Sequence, residues 1–79
     1  MKSVTVEYFA ILREQAGTAS EVVETGSSVA ADLFAELQSR HGFAAPKNFK
    51  VAINDEFAEW TSAVSDGDRV VFIPPVAGG

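Results

Sequence analysis

The chain has no cysteine among its 79 residues, and this absence excludes several kinds of chemistry. Without thiols it has no disulfide, no thiolate ligand for a metal ion and no cysteine nucleophile. Neither its stability nor its chemistry can therefore depend on a thiol side chain.

Long apolar runs and basic residues are also scarce. No apolar run reaches 18 residues, and residues 1–6 alternate where a signal peptide needs a continuous apolar stretch. We therefore expect a soluble, cytoplasmic protein that does not bind membranes. Six Lys and Arg against eleven Asp and Glu give a net charge of -5. This charge repels nucleic acid and favours partners with basic surfaces.

What the chain does have is apolar material for one core. Apolar residues make up 47% of the sequence and include six Phe. A chain of this length is too short to divide into two stable cores. We predict one folded domain over residues 1–73, followed by a flexible tail over residues 74–79.

Short segments with alternating or β-branched residues predict five strands, and the segment 10–17 predicts a loop or short helical turn. The predicted strands are Ser3–Phe9, Ala19–Glu24, Phe49–Ile53, Phe57–Trp60 and Arg69–Ile73. Tight turns are predicted at 54–56 and 66–68. The near-continuous apolar run of the last strand is typical of a central position in a sheet.

One long helix is predicted between the second and third strands. Its apolar residues recur at the spacing of one helical face, at Val29, Leu33, Phe34 and Leu37. Ser28 is the predicted N-cap, and Gly42 is suited to a left-handed residue that ends the helix.

The element order β-β-α-β-β-β indicates an α+β fold of the β-grasp type, a mixed sheet of about five strands wrapped on one helix. The last strand is expected beside the first and parallel to it. The helix supplies the long crossover connection that parallel neighbours need.

The residues after the last strand form a slim tail. Pro74 and Pro75 stop the sheet because neither has a backbone N–H to donate. Val76, Ala77, Gly78 and Gly79 then extend from the domain, and six residues can reach roughly 20 Å. Two glycines let the terminal carboxylate pass through a channel too narrow for a Cβ.

Chemistry at Gly79 requires activation by another protein. A terminal carboxylate with a pKa of about 3.5 is ionised and a poor electrophile at neutral pH. An acyl-adenylate made with ATP is the simplest activated form. The sequence has no Walker-type phosphate loop, so that machinery must belong to a partner.

Residues at the two ends of the chain also match a known family. They are Tyr8-Phe9-Ala10, Leu12-Arg13-Glu14, Gly17, Asp66-Gly67-Asp68, Val70, Phe72-Ile73-Pro74-Pro75-Val76 and Gly78-Gly79. In these motifs the chain resembles the MoaD and ThiS-like sulfur carriers, the ubiquitin-like family of the molybdopterin synthase small subunit. The Phe-x-Pro-Pro run favours the molybdopterin branch over the thiamin branch.

The resemblance implies that a MoeB-like enzyme adenylates Gly79 with ATP and that the product becomes a thiocarboxylate. A MoaE-like large subunit then accepts the tail, and the sulfur passes to cyclic pyranopterin monophosphate. The chain would be a non-catalytic sulfur-donor subunit without a bound cofactor, in a heterotetramer with the large subunit. With no cysteine present, any sulfur it carries must sit on the terminal carbonyl.

Other functions stay open at this point. The same activated tail suits a carrier for thiamin or amino-acid biosynthesis, or a ubiquitin-like protein modifier. A different class is a binding module whose tail has no chemistry.

A partner surface is predicted on the face of the sheet that points away from the helix. Phe9, Val71 and Ile73 fall on this face by strand alternation and make an apolar patch beside the tail. The alternative is that the loop at 10–17 covers some of them. Arg13 is a further candidate for partner binding, through an acid on the partner; the alternative is that it holds the loop at 10–17 or is simply solvated.

Three other polar residues are interpreted structurally. Asp66 and Asp68 are expected to form a turn and not a metal site, because no third oxygen ligand is evident. His41 is interpreted as a cation at the helix end.

Overall fold

The computed structural model describes residues 1–43 and 48–74 of the chain. The elements in chain order are β1 (Lys2–Tyr8), α1 (Ile11–Ala16), β2 (Ser20–Thr25), α2 (Ala30–His41), β3 (Lys50–Ile53), β4 (Glu56–Ala58) and β5 (Arg69–Ile73). The predicted strands agree with these bounds to within two residues.

The five strands form one mixed sheet in the order β2-β1-β5-β3-β4. The last strand, β5, lies parallel to β1 and antiparallel to β3, so its predicted central position is confirmed. The outer pairs, β1 with β2 and β3 with β4, are antiparallel. The predicted β-grasp fold is confirmed.

The core lies between α2 and one face of the sheet, called here the inner face. Alternation in β1 buries Val4, Val6 and Tyr8, each at most 1% exposed. Helix α2 contributes Leu33 and Leu37 to the same cluster, along the face that the sequence spacing predicts. Burial of these side chains is the main stabilising term of so small a domain.

The start of α2 differs from the prediction. The helix begins at Ala30, with Val29 in the N-cap position and no side-chain cap, so the predicted cap at Ser28 is wrong. The backbone N–H of Ala30 donates to the carbonyl of Ser62 at 3.0 Å, and the next N–H donates to Trp60 at 2.9 Å. Backbone carbonyls from a distant loop thus satisfy the helix end, and no hydroxyl is needed.

The expected loop or short helical turn after β1 is the six-residue helix α1. The fold therefore contains two helices where one was predicted. Leu12, 1% exposed, anchors α1 to the core, and Gly17 ends it with φ 78°. A helix this short has no second turn to repeat an apolar spacing, so periodicity could not reveal it.

Strand β4 is shorter than predicted because Trp60 turns into the core. Its ring lies parallel to that of Phe72, with 5.9 Å between centroids, and contacts Phe34 edge-on at 5.5 Å. Partial burial of Trp60 is more favourable than an extended edge strand that would expose the ring.

No helix within residues 1–43 and 48–74 has the length and apolar character needed to cross a membrane.

Candidate functional site

The C-terminal tail leaves the domain from the centre of the sheet. Strand β5 ends at Ile73, and Pro74 is a half-buried residue just beyond it. We call Ile73 and Pro74 the tail exit. Because β5 is parallel to β1 and antiparallel to β3, the tail exit lies where β1 ends and β3 begins. Pro75, Val76, Ala77, Gly78 and Gly79 lie outside the described residues.

A shallow groove of about 250 Å³ lies on the outer face of the sheet, next to the tail exit. We call it the outer-face groove. Its lining residues are Glu7, Phe9, Ala52, Asp55, Phe57, Val71 and Ile73. The structure therefore brings together all three apolar residues predicted for the partner surface. Arg13 is not among the lining residues and lies exposed on α1.

The apolar side chains of the groove differ in accessibility. Phe9 is 48% exposed, whereas Val71 in the central strand is 7% exposed because strands flank it on both sides. An exposed aromatic ring beside a buried apolar floor is the composition typical of protein interfaces. The groove therefore has the make-up of a docking surface.

Phe57 is the exposed aromatic residue of the groove that sequence reasoning missed. Its side chain is 78% exposed and lies on the outer face, because Phe57 pairs with Ala52 and Ala52 pairs with Val71. The sequence assigned it only to a short edge strand. Pairing of three strands brings it to the groove, and no local pattern shows that register.

Charged groups close the end of the groove that lies away from the tail exit. Arg69 Nε lies 3.5 Å from Glu7 Oε2, and the same guanidinium contacts Asp55. These side chains are all partly or largely exposed, so the pairs contribute little to stability. They do define a polar rim around an apolar floor.

The turn at 66–68 is structural, as predicted. Asp66 Oδ1 accepts the backbone N–H of Ser3 at 2.7 Å, and Asp68 Oδ2 accepts that of Ser65 at 2.8 Å. Asp68 also accepts a hydrogen bond from the Asn54 amide at 2.9 Å. In the part of the chain that the structure describes, no cluster of His, Cys, Asp or Glu is arranged to hold a metal ion.

A polar cluster on the inner side ties α2 to β1 and β2. The Tyr8 hydroxyl donates to Glu21 Oε2 at 2.5 Å, and His41 Nε2 lies 2.6 Å from the same oxygen. The His41 ring also stacks on Phe43 at 5.3 Å. His41 lies in the last turn of α2 as predicted, but its contacts with Glu21 and Tyr8 join residues far apart in sequence.

Burial, the hydrogen bond to Glu21 and the charge of Glu21 together raise the pKa of Tyr8. Burial alone would also raise the pKa of Glu21, but hydrogen bonds from Tyr8 and His41 outweigh it. The pKa of Glu21 is therefore below its ordinary value. Tyr8 stays protonated and Glu21 stays ionised at neutral pH, as this hydrogen-bond arrangement requires.

We expect this cluster to lose its contribution to stability in acid. A carboxyl whose pKa is lower in the folded than in the unfolded state stabilises the fold above its unfolded pKa. That contribution disappears as the pH falls below about 4.5, the ordinary value for Glu21, and through the lower folded value. Glu21→Gln should cost about 1 kcal/mol at pH 7 and flatten the acid dependence.

Urea denaturation between pH 7 and pH 3 measures this effect. Glu24→Gln is the matched control, since Glu24 is exposed on the same strand. An equal acid slope for wild type and Glu21→Gln would show that the cluster does not contribute.

The fold and the groove define the class of this protein. A mixed five-stranded sheet around one long helix, with an apolar outer face beside the exit of the C-terminal tail, is a ubiquitin-like β-grasp domain. The model of the ThiS family matches residues 6–79. The chain belongs to this family, and the predicted resemblance to MoaD and ThiS-like sulfur carriers is confirmed.

Individual relatives align with nearly the whole chain. The chain is 35% identical over 81 residues to the "Molybdopterin synthase sulfur carrier subunit" of Chlamydomonas reinhardtii, covering 96% of this chain and 98% of that protein. It is 30% identical to the "Putative molybdopterin converting factor, subunit 1" of Pyrococcus furiosus, with a TM-score of 0.80 and coverage of 96% and 100%. SAMP1 of Haloferax volcanii has 27% identity, a TM-score of 0.79 and coverage of 98% and 99%.

Proposed function

We propose that this chain is the sulfur-carrier subunit of a molybdopterin synthase. The observation that carries the proposal is its match, over 96% of the chain at 35% identity, to the carrier subunit of Chlamydomonas reinhardtii. The Pyrococcus furiosus structure, named as a subunit of the molybdopterin converting factor, supports the same branch. The geometry is compatible with this function, because a single central strand leads into the tail beside a docking groove.

The proposed chemistry takes place at the Gly79 carboxyl group. A carboxylate oxygen attacks the α-phosphate of ATP on a partner enzyme, and pyrophosphate leaves. A sulfide equivalent from a sulfur donor then displaces AMP and leaves a thiocarboxylate. Its sulfur is transferred to cyclic pyranopterin monophosphate, and water restores the carboxylate. This chain supplies the acyl group, while the catalytic groups belong to the partners.

Docking through the outer-face groove is the proposed contribution of the folded domain. Phe9, Val71 and Ile73, with Phe57, would bind an apolar surface of a MoaE-like large subunit. Residues 74–79 would then enter the active site of that subunit, in a heterotetramer. A MoeB-like activating enzyme would use the same tail in the earlier step, and Arg13 would contact a partner near the tail exit.

Intact-mass spectrometry tests the carrier function. The full chain is incubated with ATP, a MoeB-like enzyme and a sulfur donor, and a product about 16 Da heavier is expected because sulfur replaces oxygen. A reaction without ATP is the control. Addition of the large subunit and cyclic pyranopterin monophosphate should then return the original mass and form molybdopterin.

The possible results distinguish the candidate functions. No mass gain with an active enzyme would reject the carrier function. A mass gain without molybdopterin formation would show that the carrier serves another pathway, such as thiamin or amino-acid biosynthesis.

A further inference from the structure

The basic side chains of the described part fall into two groups. Arg40 pairs with a glutamate one turn earlier in α2, Arg69 contacts two carboxylates, and Lys2 donates to a backbone carbonyl at 2.7 Å. Arg13 and Lys50 form no ion pair and no side-chain hydrogen bond with any described residue. Within residues 1–43 and 48–74, these two cations thus have neither an acidic partner nor a side-chain hydrogen bond, although the chain carries a net charge of -5.

These two cations stand on opposite sides of the tail exit. Lys50 is the first residue of β3 and pairs directly with Ile73, so its side chain shares the outer face with Ile73. Arg13 lies on α1, which follows the end of β1 on the other side of β5. Both are exposed. We call Arg13 and Lys50 the exit cations.

Carboxylates gather at the opposite end of the sheet. The turn at 54–55 carries Asp55, Glu56 begins β4 next to it, and the turn at 66–68 carries Asp66 and Asp68. The first turn is bound to the start of β5, since the N–H of Asn54 donates to the carbonyl of Arg69 at 2.8 Å. Four carboxylates thus lie at this turn end, whereas Arg13 and Lys50 lie at the tail exit without an ion-pair partner in the described part of the chain.

Lys50 does not line the outer-face groove but lies next to it on the same face, because its strand partner Ile73 lines that groove. A protein that covers Ile73 must remove water from around the Lys50 ammonium group. A desolvated cation without a partner is costly, whereas a carboxylate placed opposite compensates for the lost hydration. Its pairing with Ile73 therefore places Lys50 at the edge of the surface that a partner would cover.

We infer that Lys50 is a specificity-determining residue, and that the subunit that accepts the tail presents carboxylate groups opposite Lys50 at the rim of its entrance. The inference rests on the proposed function. It adds that the large subunit must be negatively charged where it faces Lys50. Arg13 supports the same requirement from the other side of the tail exit.

The inference and the overall charge of the protein predict opposite results for one substitution. Lys50→Glu makes the net charge -7, which would speed association with a partner that is basic as a whole. An acidic rim opposite Lys50 would instead repel the new glutamate. We expect association with the large subunit to be about tenfold slower.

Stopped-flow association of the full chain with a purified MoaE-like large subunit measures this rate, at low and at physiological salt. Lys50→Arg keeps the charge and should associate within about twofold of the wild-type rate. Lys2→Glu is the matched control, because it makes the same charge change at the opposite end of β1. Circular dichroism verifies that each variant is folded.

Each result decides between the alternatives. If the wild-type chain does not bind the large subunit, the proposed function fails and the inference fails with it. If wild type binds and Lys50→Glu associates equally fast or faster, the inference alone is overturned. Equal slowing by Lys2→Glu and Lys50→Glu would also overturn it, since the effect would then be one of net charge.

Discussion

Removal of Gly79 is expected to abolish sulfur loading and leave the fold intact. The core residues found in the described part lie between Val4 and Phe72. Their packing should not depend on the last residue, so the melting temperature should match that of the wild type. Without Gly79 the acyl group would end one residue short of the reacting atoms. We expect molybdopterin formation to fall at least about a hundredfold.

The mass-spectrometric loading assay and a thermal melt, run on the same samples, check this prediction. Ala77→Gly is the matched control, because it alters the tail but keeps its length. Molybdopterin formation by the protein lacking Gly79 within about tenfold of the wild-type rate would contradict the proposed chemistry. So would a mature natural protein that retains further residues after Gly79, because no carboxylate would then be available at this residue.

Phe57→Ala is expected to weaken binding of the large subunit by about 2 kcal/mol, or roughly thirtyfold, as is typical of an aromatic interface anchor. Phe57 is 78% exposed, so truncation should have little effect on the core. The lost contact area lies in the outer-face groove, where Phe57 lines the wall next to Ala52. Titration calorimetry of the full chain with the large subunit measures the change.

Val22→Ala is the matched control for Phe57→Ala. Val22 is 68% exposed on β2 but does not line the groove, so its truncation should leave the affinity unchanged. If both variants bind equally weakly, a nonspecific apolar effect explains the loss. If Phe57→Ala binds as tightly as the wild type, the groove does not dock the large subunit.

Much of the fold could be predicted because its signals are local. The alternation of Val4, Val6 and Tyr8 and the helical spacing of Leu33 and Leu37 reflect burial on one side of an element. The spacing of apolar residues that are close in sequence shows which side of an element is buried. Any fold that buries that side needs the same spacing. The family resemblance came from the same source, since its motifs are contiguous runs near the two ends of the chain.

The incorrect N-cap prediction at Ser28 shows what local sequence signals cannot predict. A serine before a helix is a good prediction because its hydroxyl can satisfy an N–H of the first turn. Here the carbonyls of Ser62 and Trp60 take that role, about thirty residues further along the chain. The choice between the two acceptors depends on how the loop after β4 packs against α2.

The candidate site also has a part that local sequence signals predict and a part that they do not. Its position at the end of the chain and three of its apolar residues, Phe9, Val71 and Ile73, were predicted from motifs and alternation. Phe57 was missed because its place depends on the pairing of β4 with β3 and of β3 with β5. Register across several strands sets which side chains become neighbours, and sequence spacing does not encode it directly.

By itself, the sequence determined the types of element, their order, the central place of β5 and the absence of thiol chemistry. Each of these follows from residue type and short-range spacing. Only the tertiary structure decided that Tyr8, Glu21 and His41 share one hydrogen-bonded cluster. It also decided that Lys50 stands beside the tail exit. Contacts between residues far apart in the chain arise when elements pack, and their geometry is a property of the whole fold.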